Sequence, residues 1–197
     1  MNKFQNTYNI GSPRLKGYNY AENGSYFITI CTKNRENIFG EIIDGRIQLS
    51  EIGTIASQYW HQIPEQYPFA TLGEFVIMPN HVHGIITICR DAIIRGGRDA
   101  INRVCTHNGG ITAKHNPMLQ ENVSTIIRWY KGRTTFEIHK QHKPFTWQSL
   151  FYDRIIRDED EFDRISQYIK NNPINWGKDQ NNVETRLIAS VQQSDII

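Results

Sequence analysis

Between residues 25 and 32 the chain reads Ser-Tyr-Phe-Ile-Thr-Ile-Cys-Thr, an aromatic and β-branched run that predicts a strand. Residues 39–43 and 46–49 flank Asp44-Gly45, a pair that favours a hairpin turn. Ser50 has N-cap chemistry, and Ile52, Ile55, Ala56, Tyr59 and Ile63 follow at helical spacing, so a helix is expected, closed by Pro64. Two more apolar runs, 69–78 and 82–88, surround Pro79-Asn80 and predict paired strands. Proline cannot supply the positive φ of a primed two-residue turn, so a slightly wider connection is expected there. Val123, Ile126, Ile127, Tyr130 and Phe136 predict a second long helix, with Gly132 marking a kink or an end. Pro144, Phe145, Trp147 and Phe151 form an aromatic connector to a short strand over 152–156. A last helix starts at Asp158, with Glu161 in the capping-box position and Phe162, Ile165 and Ile169 as its buried stripe. Pro173 closes it.

This order of elements fits one α+β domain over residues 25–176. Residues 1–24 read as an irregular basic N-terminal arm and 177–197 as a polar C-terminal tail. Residues 89–118 break the pattern with Gly96-Gly97, Gly109-Gly110 and a short echo of Arg-Asp-Ala-Ile at 90 and 98. A stretch beyond about 12–15 residues without structure is uncommon in a compact domain, so this one is expected to be a mobile insertion, with His107 and His115 in solvent. No apolar run approaches the roughly 20 residues that span a bilayer, and the first residues lack a signal-peptide core. Cys31, Cys89 and Cys105 are unclustered, which argues against a cysteine-based zinc site and suits a reducing, cytoplasmic setting.

The net charge of +2 says little about partners, but its distribution says more. Lys3, Arg14, Lys16, Lys33 and Arg35 face only Glu22 in the first 35 residues. A second basic segment, 121–157, holds Arg128, Lys131, Arg133, Lys140, Lys143, Arg154 and Arg157 against Glu121, Glu137 and Asp153, while other acids concentrate at 158–161. Basic residues interleaved with aromatics suit single-stranded nucleic acid, through phosphate contacts and base stacking. Arg14, Lys16, Lys131, Arg133 and Arg154 are the candidate nucleic-acid contacts. An ordinary solvated surface accounts for the same charges.

The stretch Met78-Pro79-Asn80-His81-Val82-His83-Gly84 carries the densest candidate chemistry. Alternate strand residues share a face, so His81, His83, Ile85 and Thr87 point one way and Val82, Gly84, Ile86 and Ile88 point to the core. Two neighbouring imidazoles can hold one metal ion through neutral nitrogens, or can simply be polar residues at a strand mouth. Gly84 permits a close approach to the backbone. Far along the chain, Tyr168 lies at the border of the last helix's buried stripe, with Asn172 one turn later on the same face. Such a tyrosine can present its hydroxyl to a cleft, and the Asn can offer a carbonyl oxygen to a metal. Both also read as an ordinary boundary tyrosine and a helix-ending Asn.

Taken together, Met78 to Gly84, Trp147-Gln148, Tyr152-Asp153-Arg154-Ile155-Ile156-Arg157 and Tyr168-Ile169-Lys170-Asn171-Asn172-Pro173 resemble the REP-associated tyrosine transposases, a branch of the single-tyrosine HUH transposases. Arg14-Leu15-Lys16-Gly17-Tyr18 and the run from Tyr26 to Thr32 are similar too, so the likeness extends from about Pro13 to Trp176. It implies a ferredoxin-like antiparallel sheet with helices packed on it and the metal site on a central strand. It implies His81, His83 and Asn172 as ligands of one divalent ion, Mg²⁺ or Mn²⁺, and Tyr168 as the nucleophile. Nitrogen ligands favour Mn²⁺ over Mg²⁺. The implied activity is nicking and joining of single-stranded or hairpin DNA through a 5′-phosphotyrosine. The implied partner is single-stranded DNA with hairpin or palindromic repeats, and a homodimer stays open. The insertion at 89–118 is longer and richer in glycine than in compact members. A domesticated hairpin-binding protein without cleavage is the alternative. A histidine-triad hydrolase fits less well, because Ile85 stands where a third histidine belongs.

Overall fold

The computed structural model describes residues 22–90, 122–141 and 143–178. The expected arm at 1–24, the tail at 177–197 and the insertion at 89–118, with His107 and His115, fall wholly or largely outside the described residues. Among those described, the elements run β1 (Gly24–Cys31), β2 (Gly40–Ile43), β3 (Arg46–Leu49), α1 (Glu51–His61), α2 (Ile63–Gln66), β4 (Ala70–Met78), β5 (His81–Ile88), α3 (Val123–Lys140), β6 (Tyr152–Ile156) and α4 (Glu159–Asn171). Four strands form an antiparallel sheet in the order β4-β5-β1-β6. With helices crossing between β1 and β4 and between β5 and β6, this is the ferredoxin-like order. β2 and β3 make a separate hairpin, turned by Asp44 (φ 50°) and Gly45 (φ 71°).

The strand period divides the sheet into two unlike faces. Tyr26, Ile28, Ile30, Val82 and Ile86 point toward α1 and α3, where Ala56, Tyr59, Trp60, Ile126, Ile127 and Tyr130 complete a large core. The other face carries Ile85 and Ile156, with Phe27 and Val76 beside them, and α4 covers these with Phe162, Ile165 and Ile169. Burial of each large apolar side chain stabilises by about 1.5–3 kcal/mol, so most of the fold's driving force lies on the first face.

Four local features differ from the sequence expectations. Helix α1 ends at His61, before Pro64, which sits in the first turn of α2, where its missing N–H is harmless. The β4–β5 connection is only Pro79-Asn80, since Met78 pairs with His81. Neither turn residue has positive φ. Phe39 N donates to Pro79 O and Thr32 N to Asn80 O, both at 2.9 Å, so a neighbouring segment holds the tight turn. Gly132 neither ends nor divides α3, which continues to Lys140. Ile126, Ile127, Tyr130, Thr134 and Ile138 are buried around it and outweigh the roughly 1 kcal/mol cost of one helical glycine. Asp158 caps α4 through Glu161 N, but the Glu161 carboxylate reaches Arg157 N, one residue short of the reciprocal capping-box bond.

Candidate functional site

β5 lies inside the sheet, bonded to β4 on one side and β1 on the other, so its side chains are held at defined positions. His81 and His83 share the α4 face, are buried, and have ring centroids 4.3 Å apart. Each imidazole has its Nδ1 engaged. His83 Nδ1 lies 2.9 Å from Thr29 Oγ1, its cross-strand partner on β1. His81 Nδ1 lies 2.9 Å from Asn80 Oδ1, while Asn80 Nδ2 donates to Arg35 O at 3.1 Å. An amide oxygen only accepts, so His81 carries its proton on Nδ1 and its lone pair on Nε2. Burial holds the His81 pKa well below its ordinary value, and the charges of His83 and Arg35 push the same way. The ring is neutral at pH 7, the form a metal ligand requires.

Helix α4 brings the remaining residues to this face. Its capped, acidic N-terminus is fixed next to β6, and Ile169 buries its stripe. Tyr168, 47% exposed, stands at the edge of that stripe. Its Oη is 3.4 Å from His83 Nε2, and its ring meets Phe27 edge-on at 6.0 Å. Asn172 is the C-cap and is buried, and its Oδ1 has no hydrogen-bond partner among the described residues. Just beyond, Trp176 packs 6.0 Å from His81.

The donor set fits a divalent cation. Among the described residues no group of three or more His, Cys, Asp or Glu gathers. Among the described residues, Asn172 Oδ1, a buried carbonyl oxygen that makes no hydrogen bond to them, is an atom that could serve as a third ligand. The Nδ1 contacts to Thr29 and Asn80 match the outer hydrogen bonds that orient metal-binding imidazoles.

The candidate DNA contacts divide. Arg154 lies opposite Phe27 on β6, on the histidine face, and pairs with Glu161 at 2.5 Å while remaining 69% exposed. Lys131 and Arg133 are on α3, across the sheet from the histidines. Lys131 Nζ donates to Gln148 O at 2.5 Å and Ser149 O at 3.3 Å, and partial burial lowers its pKa. Arg133 stacks over Tyr59 and Phe136 and pairs with Glu137 at 3.5 Å. Arg14 and Lys16 lie outside the described residues.

Sequence reasoning missed the roles of Thr29 and Asn80. Thr29 reaches His83 only through the β1–β5 register, which no local pattern encodes. Asn80 adjoins His81 in sequence and was legible as a potential partner. The close approach that Gly84 permits is made by Trp60 from the core side: a Cβ there would lie 2.3 Å from the indole Cζ2.

No family model matches the chain. It is 40% identical over 181 residues to an uncharacterized Haemophilus influenzae protein, covering 88% of this chain and 96% of the relative. The two proteins belong to one family. Among solved structures, the family member described here is similar to a REP-associated tyrosine transposase bound to a REP hairpin, with a TM-score of 0.53 and 17% identity over 83% of this chain and 74% of that one. At that identity the likeness is one of fold. Among the described residues no helix is long and apolar enough to cross a membrane.

Proposed function

We propose that this protein is a DNA nicking and joining enzyme in which Tyr168 attacks a phosphodiester of a single-stranded or hairpin DNA. The observation that carries this reading is the 3.4 Å approach of the hydroxyl of a half-exposed tyrosine to a buried histidine pair. The fold, similar to that of a tyrosine transposase, supports it.

In this reading His81, His83 and Asn172 hold one divalent ion, Mn²⁺ or Mg²⁺. When bound, the ion supplies positive charge that offsets the charge gathering on the phosphate oxygens. Thr29 and Asn80 fix the two imidazoles, so little reorganisation accompanies substrate binding. Phe27 supports the Tyr168 ring from the side while its hydroxyl lies 3.4 Å from His83 Nε2. As Oη bonds to phosphorus, the bond from phosphorus to the 3′-oxygen breaks. The phenol gives up one proton and the released 3′-oxygen takes one up, so the step balances. The products are a 5′-phosphotyrosine and a 3′-hydroxyl, and one phosphodiester is exchanged for another. The strand can then be rejoined by attack of a 3′-hydroxyl on the adduct. Arg154, exposed on the same sheet face, is the best placed of the basic candidates to contact the strand.

Incubation with single-stranded DNA carrying short palindromes and Mn²⁺, followed by a denaturing gel, tests the reading. The expected result is a protein–DNA adduct in wild type and none in Tyr168→Phe. An adduct that persists in Tyr168→Phe, or maps to another residue, would overturn the mechanism. Hairpin binding without any adduct in wild type would instead indicate a binding protein.

A further inference from the structure

We infer that the β2–β3 hairpin is a strut that sets the position of the Asn172 side chain, with Ile174 as the residue through which it acts. The inference rests on the reading of His81, His83 and Asn172 as one metal site, and adds what holds its third corner. Pro173 brings no N–H to the helix ladder and disfavours helical backbone in the residue before it. Asn172 is nevertheless helical, at φ −59° and ψ −43°, and its N–H reaches Ile169 O, three residues back, at 3.2 Å. The regular ladder of α4 therefore does not fix this side chain, and contacts from outside the helix are needed to hold it.

Beyond the proline the chain closes a short stack of turns. Asn175 N donates to Asn171 O and Asn172 O, both at 3.1 Å, Trp176 N to Pro173 O at 3.3 Å and Lys178 N to Asn175 O at 2.8 Å. This stack is held from two sides. On one, the Trp176 ring lies 6.0 Å from that of His81, tilted by 32°. On the other, Ile174 meets the hairpin tip: a Cβ on Gly45 would lie 3.4 Å from Ile174 Cγ1 and 3.6 Å from its Cα. Ile174 is 72% exposed, so this contact adds little burial, and what it fixes is position.

The hairpin carries that contact back to the histidines. It stands outside the four-stranded sheet, and its strand residues are all half-buried or exposed, so it is not a core element. Its base is joined to the turn before His81. Phe39 N donates to Pro79 O and Ser50 N to Phe39 O, each at 2.9 Å. Ser50 Oγ donates to Ile38 O at 2.6 Å, and the buried Phe39 ring lies 5.3 Å from that of Trp147. From this base, four paired residues at about 3.3 Å each carry the chain about 13 Å out to the Asp44-Gly45 turn. One paired element thus touches the chain just before His81 and just after Asn172, on the two segments that carry the candidate ligands.

Mn²⁺ titration of the full chain, followed by the paramagnetic resonance of the free ion, reads the site without DNA or cleavage. Ile174→Ala should weaken Mn²⁺ binding several-fold, less than Asn172→Leu does. It should leave the urea midpoint of the metal-free protein unchanged, because the side chain is largely exposed. Ile174→Val, which keeps the Cγ1 contact, should bind Mn²⁺ as wild type does. From the hairpin side, Gly45→Asn retains a residue that tolerates positive φ but presses on Ile174, and should weaken binding to a similar extent. The deciding measurement is a double-mutant cycle: once Asn172 is leucine, Ile174→Ala should have no further effect. An equal loss in the Asn172→Leu background would show that Ile174 does not act through Asn172, and would overturn the strut. Wild-type affinity in either Ile174→Ala or Gly45→Asn, with Asn172→Leu impaired, would overturn it as well and leave the metal site standing. Failure of wild type to bind Mn²⁺ would overturn the metal reading itself, and the strut with it.

Discussion

The two faces of the central sheet are built on opposite principles. Toward α1 and α3 the strands bury aromatic and branched side chains in one continuous core. Toward α4 the apolar cluster is small and gives way to His81, His83, Thr29, Asn172 and an exposed Tyr168. One strand, β5, contributes to both faces, with Val82 and Ile86 on one and the histidines on the other. Stability is thus concentrated behind the strand that carries the two histidines, which leaves the front face free to hold polar groups that a core would exclude.

If this division is right, stability should track the back face and activity the front. Trp60→Ala should cost about 3–5 kcal/mol in urea unfolding, since a fully buried indole is lost. Gly84→Ala should cost about 1–3 kcal/mol, because the new methyl meets the Trp60 ring and must displace it. The front face contributes a smaller, pH-dependent effect. The folded-state pKa of His81 is depressed, so the unfolded chain binds more protons below about pH 6.5. Stability should therefore fall as pH drops below that value, by at most about 1.4 kcal/mol per unit. His81→Gln should remove this part of the slope, and an unchanged slope would show that His81 does not cause it. Asn172→Leu should leave the metal-free protein as stable or slightly more so, because a buried oxygen without a partner among the described residues is removed. The same variant should lower Mn²⁺ affinity at least tenfold by calorimetry. Tyr168→Phe should change stability by less than about 0.5 kcal/mol while abolishing the covalent adduct. A large stability loss in that variant would blur the division between the faces.

Much of this was legible in the chain. The strands announce themselves through runs such as Tyr26 to Ile30, and the period of two places His81 and His83 together, away from Val82 and Ile86. Ser50 and Asp158 cap the helices that their chemistry predicts. Tyr168 and Asn172 were visible as a helical pair, but only tertiary packing brings Oη to His83 and buries the amide. Illegible were the features that depend on distant partners. Pro79-Asn80 makes a tight turn because Phe39 and Thr32 bind its carbonyls from another segment. Gly132 stays helical because its neighbours are packed, which a propensity scale does not count. Lys131 reads as a surface cation yet is committed to a connector that sequence shows only as aromatic.

That two-residue turn also sets a rule of length. Side chains alternate with a period of two, so one residue added between Met78 and His81 would rotate every later position of β5 to the opposite face. Both imidazoles would then enter the space of Trp60, and Val82 would meet Tyr168. Relatives that keep the site can therefore change the letters of this turn but not their number, and an alignment through it should contain no gap. The same reasoning makes it the wrong place to splice in a tag or reporter.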